Sequence, residues 1–287
     1  SRSARVDGAR AFFESGFAAI RDPGRGDLLA LAAGYFNRWH KHADELSFEL
    51  FASGTHVVAD SGRVGKRLPG DYAGSATAHS TLTVDGVDFA DRLRPFYGSG
   101  LDAIGEGDGW HALLAHNPRL LHQDVRHSRL LLYRPDVALI VVDQLDADEP
   151  HIYRRFVQLG PTVAVDRIGT GLGLSAPGPF AGRLSDAPAG EEVTIGTVRG
   201  QQTPPAGLLF SGFGQAVPRS MVGLRSEAAD AVYALTIGLD GIEGTTATLE
   251  DSDRGDAVLV DTPGGALERV SIERRGREVR VSAGPVD

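Results

Sequence analysis

Residues 45–60, ELSFELFASGTHVVAD, predict a β-hairpin. Apolar residues flank the dipeptide Ser53-Gly54 on both sides, and a glycine-containing turn between two alternating segments is typical of a hairpin. Counting outward from this turn pairs Ala52 with Thr55 and Ser47 with Asp60. The pattern therefore predicts an antiparallel sheet in which Asp60 returns to the start of the first strand.

Short apolar or alternating segments bounded by Gly, Pro and Asp recur along the whole chain, and helical periodicity is scarce. This pattern predicts an all-β fold, a large antiparallel β-sandwich. The predicted strands are 17–21, 28–35, 46–52, 55–59, 80–84, 111–116, 128–134, 137–144, 153–159, 162–166, 193–198, 208–212, 221–224, 231–237, 246–249, 257–261 and a closing hairpin over 267–282. The predicted loops are 60–78, 92–109, 145–150, 168–191 and 199–206.

Residues 1–287 are predicted to form one sandwich domain. The Gly/Pro/Ala-rich tract at 168–191 is open to two interpretations, a linker between two domains or a long loop within one. Strand-like segments on both sides favour the loop.

Composition excludes several classes of function. The formal net charge of −9 argues against nucleic acid and anionic membrane as partners, because both require a basic surface. No segment reaches the roughly 18 apolar residues of a membrane span. The chain has no cysteine, so a metal would have to be bound by His, Asp or Glu.

Three potential metal ligands stand two residues apart immediately before the hairpin, at His40, His42 and Asp44. On an extended segment these side chains share one face. His42 nevertheless lies five residues, roughly 16 Å of extended chain, before Ser47. For His42 and Asp60 to share a metal, residues 37–45 must curl back over the strand end.

His79 begins another predicted strand after a turn-rich segment, in a position to face the same edge. Two imidazoles and a carboxylate are a common zinc set, with a fourth position left for water or substrate. The alternative is that each residue has an ordinary structural role, Asp60 in an Asx turn and the histidines at strand ends.

The segments HKHADELSFELFASGTHVVADSG (40–62) and SATAHSTLTVDG (75–86) resemble the core of the heparinase II/III family of polysaccharide lyases. That family's pattern is His-x-His-x-Asp, an apolar strand, Asp-x-Gly, then Ala-His-Asn-Thr-x-x-Val-Asp-Gly. FFESGFAAIRD (12–22) and RHSRLLLYRPDVALIVVDQL (126–145) extend the resemblance, which covers roughly residues 10–160.

The resemblance implies roles for individual residues. His42, Asp60 and His79 match the metal ligands, normally zinc, which looks mainly structural. His40 matches a catalytic histidine, and Tyr72 is the candidate partner acid or base. Asp44 would orient a histidine or hold the loop.

The resemblance also implies an activity, β-elimination on a uronic-acid polysaccharide. That reaction removes the proton α to the uronate carboxylate and expels the 4-linked sugar. Family members normally carry an α/α toroid that supplies cleft residues. We therefore expect an anionic polysaccharide substrate, a helical toroid supplied in cis or by another chain, and a secreted or periplasmic location.

The sequence departs from the family pattern in the segment before His79. Ser80 stands where Asn is usual, and Gly74-Ser75-Ala76 replaces an arginine-containing segment. The alternative functions are a non-catalytic, zinc-stabilised sandwich that binds glycan or packs against a partner, and a sandwich whose histidines bind no metal.

Overall fold

The computed structural model describes residues 8–35, 41–63, 72–88, 98–212, 215–250, 255–265 and 267–286. Within these ranges the chain is almost entirely β-strand, and its helical elements are three short 3-10 helices. No helix in these ranges is long and apolar enough to cross a membrane.

The strands in chain order are β1 (Gly8–Phe12), β2 (Phe17–Asp22), β3 (Asp27–Ala32), β4 (Gly34–Tyr35), β5 (Ser47–Ala52), β6 (Thr55–Val58), β7 (Leu82–Val84), β8 (Gly98–Ser99), β9 (Leu101–Gly107), β10 (Trp110–His116), β11 (Val125–Arg134), β12 (Ala138–Ala147), β13 (His151–Gln158), β14 (Ala164–Ile168), β15 (Gly171–Ser175), β16 (Ala181–Pro188), β17 (Thr194–Arg199), β18 (Gln201–Gln202), β19 (Pro205–Ala206), β20 (Leu208–Gly212), β21 (Gln215–Pro218), β22 (Ser220–Ala228), β23 (Ala231–Gly238), β24 (Thr246–Leu249), β25 (Ala257–Asp261), β26 (Leu267–Arg275) and β27 (Glu278–Pro285). The 3-10 helices are Tyr72–Gly74, Ala76–Ala78 and Pro118–Gln123.

Three sheets form the body of the molecule. A 12-stranded sheet has the order β14-β15-β16-β23-β12-β11-β10-β9-β27-β26-β25-β24. A five-stranded sheet (β1-β2-β3-β5-β6) and a four-stranded sheet (β17-β22-β13-β7) complete the sandwich. Pairing within these sheets is antiparallel except between β27 and β9, which run parallel. The predicted all-β antiparallel sandwich is confirmed.

The largest core combines apolar side chains of all three sheets, including Leu29, Leu131, Val141 and Val222. A second core lies on the opposite face of the 12-stranded sheet, where residues such as Leu130, Ile140 and Val258 pack together. Side chains of β11 and β12 therefore alternate between the two cores. Burial on both faces explains why their sequences are continuous apolar runs.

The tract at 168–191 is not a loop. It contains β15 and β16, and β16 pairs with β23 inside the 12-stranded sheet. Close backbone approach requires glycine at position 182, since a Cβ on Gly182 would lie 2.4 Å from the carbonyl oxygen of Gly238. The loop prediction for 92–109 is wrong for the same kind of reason, because it includes β9, where a Cβ on Gly105 would lie 1.6 Å from the Val279 oxygen.

The hairpin of β5 and β6 forms at the predicted turn, but its register shifts. Ala52 pairs with Thr55 as expected, whereas Leu50 pairs with Val58 because of a bulge between Leu50 and Phe51. Strand β6 ends at Val58, so the predicted pair of Ser47 with Asp60 is wrong. A bulge adds one residue to one strand, which simple counting cannot detect.

Candidate metal centre

Asp60 lies in the turn that follows β6. Its carboxylate accepts a hydrogen bond from the backbone N–H of Gly62 at 3.2 Å, an Asx turn. Gly62 has a φ of +70° and forms a bridge to Phe210. The turn aims the other carboxylate oxygen away from β6 and toward the segment that carries His79.

His79 follows the 3-10 helix Ala76–Ala78 and is completely buried. Its Nδ1 lies 2.6 Å from the Asp60 Oδ1, which is a short hydrogen bond. Its Nε2 is also buried and has no hydrogen-bond partner. A buried ring nitrogen without a partner is costly, and a bound ion is one explanation for it.

His42 reaches the same place from a third segment. Its ring centroid lies 5.2 Å from that of His79, at an interplanar angle of 38°. Residues 41–46 do not form a strand, and the Ala43 N–H donates to the carbonyl of Gly74 at 2.8 Å. The described part of the predicted fold-back, residues 41–45, therefore lies over the loop before His79.

Lys41 holds this loop together. Its ammonium group forms ion pairs with Asp44 and with the buried Glu45, the latter at 3.1 Å. Asp44 thus forms an ion pair with Lys41 inside the loop at 41–46.

Asp60 and His79 form a strongly coupled pair. Burial by itself favours the neutral carboxyl group, but the hydrogen bond and charge of His79 prevail and lower the pKa of Asp60 to about 2. Burial disfavours charge on His79, yet the hydrogen bond to Asp60 raises the pKa of the imidazole above its ordinary value. The pair is stabilised in its charged form in the protein without a metal.

The donor set fits a zinc ion by its chemistry, since two imidazoles and one carboxylate adjoin and the buried His79 Nε2 has no partner. In the part of the chain that the structure describes, however, no three His, Asp or Glu side chains are spaced so as to hold a metal ion directly. The Asp60 Oδ1 is already hydrogen-bonded to the His79 Nδ1. Metal binding would require a local rearrangement of these side chains.

Of the two predicted catalytic residues, His40 and Tyr72, the structure describes only Tyr72. His40 lies outside the described residues. Tyr72 lies in the first 3-10 helix and is only 5% exposed, with its ring 6.4 Å from that of Phe210. Its hydroxyl is buried without a hydrogen-bond partner, and burial raises its pKa, an effect that nearby Arg219 partly offsets.

Two buried arginines that the sequence did not single out as site residues bind the carbonyl oxygens of the residues on either side of His79. Arg219 donates to the carbonyl of Ala78 at 2.9 Å, and Arg129 donates to the carbonyl of Ser80 at 2.7 Å. Arg129 lies in the segment with family resemblance, but with His127 it is buried against Asp143 and does not face a cleft. No sequence signal marked Arg219.

The sequence matches one family model over most of its length. The model for the heparinase II/III-like C-terminal domain matches residues 4–230, more than three quarters of the sequence. The chain belongs to this family. No curated protein matches the sequence.

Solved structures of heparinases share the fold of this heparinase II/III-like domain. A heparinase III superposes with a TM-score of 0.74 at 15% identity. The heparan sulfate lyase of Pedobacter heparinus gives 0.73 at 15%, and a further heparinase III gives 0.71 at 14%. Each alignment covers 99% of this chain and 43% of the other. The chain thus spans less than half the length of the solved structures it matches.

Proposed function

We propose that this chain is the β-sandwich part of a polysaccharide lyase that cleaves uronic-acid polysaccharide by β-elimination. The observation that carries the proposal is the convergence of His42, Asp60 and His79, from three separate segments, in a member of the heparinase II/III-like family. A secreted or periplasmic location belongs to the same proposal.

The described residues have a positioning part in this reaction. The rings of His42 and His79 adjoin, which brings the loop at 41–46 next to the segment that carries His79. His40 is proposed to transfer the proton, since imidazole titrates near neutral pH without a large perturbation. The catalytic role of Tyr72 stays a prediction, to which the buried hydroxyl gives no support.

Lyase activity is tested by incubating the protein, together with its helical toroid, with heparin, heparan sulfate and alginate and following the near-ultraviolet absorbance of the unsaturated product. We expect absorbance to rise with at least one polymer, and His40→Ala to abolish the rise. No absorbance change across the panel, with the helical partner present, would refute the proposal.

We further propose that His42, Asp60 and His79 bind one zinc ion with a structural role, since β-elimination consumes no water for a metal to activate. When bound, the ion would tie the loop at 41–46 to the sandwich and stabilise the fold. Its binding energy would count toward folding, on the order of 10 kcal/mol for a structural zinc.

Zinc binding is tested by elemental analysis of protein purified without added metal, followed by thermal unfolding with and without a chelator. We expect one zinc per chain, a lower melting temperature after chelation, and no zinc in His79→Ala. His56→Ala is the control, because His56 is an exposed histidine on β6, the strand that leads to Asp60. Metal-free wild-type protein that does not take up zinc would contradict this part of the proposal.

A second candidate function is a non-catalytic sandwich that binds glycan or packs against a partner. It is favoured by one observation, that the hydroxyl of Tyr72, the candidate acid or base, is buried. This function predicts that the chain binds polysaccharide without cleaving it and that His40→Ala leaves binding unchanged.

A further inference from the structure

Arg219 stands immediately before β22 and is fully buried. Its guanidinium donates hydrogen bonds to three backbone carbonyls. The acceptors are the oxygens of Ala59, of Asp60 at 3.1 Å and of Ala78 at 2.9 Å. One side chain thus bonds the segment that carries Asp60 and the segment that carries His79.

The charge of Arg219 is not neutralised in the usual way. Among the described residues no carboxylate forms an ion pair with it, and its Nε is buried without a hydrogen-bond partner. A buried cation that lacks a paired anion is expensive, so such residues are uncommon unless they serve a particular role. Here the guanidinium is used to fix main-chain oxygens.

Arg155 differs from Arg219 in the partners of its guanidinium group. It is also buried, but it forms a bidentate ion pair with Asp186 at 2.7 and 2.8 Å and stacks over Tyr233. Its guanidinium makes no hydrogen bond to the segments of Asp60 or His79 among the described residues. Arg155 therefore joins two sheets, whereas Arg219 joins the two parts of the candidate metal centre.

We infer that Arg219 is a positioning residue that sets the separation of Asp60 and His79 by clamping their main chains to each other. A planar fork of five N–H donors can hold several carbonyls at once, which a lysine ammonium group cannot do in the same geometry. The inference rests on the proposed zinc site, because clamping matters to function only if the two side chains bind an ion together.

The test compares Arg219→Lys with wild type and with Arg155→Lys as the matched control, all as the 287-residue chain. Zinc affinity is measured by competition with a chromophoric chelator, and ligand geometry by the visible absorption spectrum after cobalt substitution. We expect Arg219→Lys to weaken zinc binding about 10- to 100-fold, as removal of a group that orients metal ligands typically does. We also expect an altered cobalt spectrum. Arg155→Lys is expected to lower stability with wild-type affinity and spectrum.

The outcomes distinguish this inference from the zinc proposal. If wild-type protein binds no zinc, the zinc proposal fails and the inference fails with it. If wild type binds zinc and Arg219→Lys binds it equally well with the same cobalt spectrum, only the inference is overturned. The inference is also overturned if Arg219→Lys stays unfolded at saturating zinc, because Arg219 would then be required for the fold as a whole. Recovery of folding by excess zinc would support it.

Discussion

At the scale of single residues, the burial of Tyr72 bears on its predicted catalytic role. A proton donor to a polysaccharide must reach the substrate, and the Tyr72 hydroxyl is buried beside Arg219 and close to Phe210. Sequence distance to His79 gives no information about side-chain depth. The burial of Tyr72 was decided by the cluster of Ala73, Ala78, Leu208 and Phe210 around it.

Tyr72→Phe should leave both activity and stability intact. Its hydroxyl lies beside Arg219 and the backbone of Gly207 and Leu208 but makes no hydrogen bond of good geometry. A buried polar group without such a partner costs about 1–3 kcal/mol, so removal of the oxygen should not lower the free energy of unfolding. Urea unfolding and the lyase assay measure the two effects. Tyr153→Phe is the matched control, since it loses a hydrogen bond to the Ala229 carbonyl and should cost about 1 kcal/mol. A drop in activity of about 100-fold or more in Tyr72→Phe would instead establish the catalytic role.

At the scale of elements, the turn Asp60-Ser61-Gly62 at the end of the β5–β6 hairpin places Asp60 next to His79. Two features of the last position of this turn require glycine. Gly62 has a positive φ, and a Cβ there would lie 2.4 Å from the carbonyl oxygen of Phe210. The Asx turn expected as an ordinary alternative is present, and the same carboxylate also binds His79. The Asx turn therefore does not prevent the same carboxylate from contacting a second side chain.

Gly62→Ala should destabilise the protein more than Gly54→Ala. Both positions have positive φ, which costs an L-residue roughly 1–2 kcal/mol, but a Cβ at Gly54 meets nothing within 4 Å. The added clash at Gly62 should cost about 1–3 kcal/mol more, as overpacking typically does. Chemical denaturation of the two variants measures the difference. Equal losses would show that the Phe210 contact relaxes without cost.

At the scale of the whole molecule, a buried ion pair ties the 12-stranded sheet to loops that lie outside the three sheets. Arg129 and Asp143 face each other across β11 and β12, and Arg129 also donates to the carbonyls of Leu46 and Ser80. This network joins the 12-stranded sheet to the loops around His79. Burial alone would favour a neutral Asp143, but the charge of Arg129 and the hydrogen bond with His127 hold its pKa far below the usual range.

Asp143→Asn should cost about 3–5 kcal/mol at neutral pH, because it leaves the buried Arg129 without its anion. Asp146→Asn is the control, since Asp146 and Arg126 form the same cross-strand pair at an exposed position and should matter little. Urea unfolding of both variants at neutral pH gives the comparison.

The effect of Asp143→Asn should depend on pH in one direction. A carboxyl group whose pKa is lowered by folding stabilises the native state above its unfolded pKa, near 3.9, and loses that contribution as the pH falls toward the folded value. The difference between wild type and Asp143→Asn should therefore shrink below about pH 4. A difference that stays constant down to pH 3 would show that the ion pair is not its source.

The sequence by itself determined the all-β class, most strand positions and the hairpin turn at Ser53-Gly54, because alternation and turn residues act over a few neighbouring positions. It also singled out His42, Asp60 and His79 by residue type and motif. Only the tertiary structure decided the bulge that shifts the register of the β5–β6 hairpin, the strands in the glycine-rich tract 168–191, and the carbonyl clamp of Arg219. These features depend on contacts between segments as far apart as Ala78 and Arg219, and such contacts leave no local pattern in the chain.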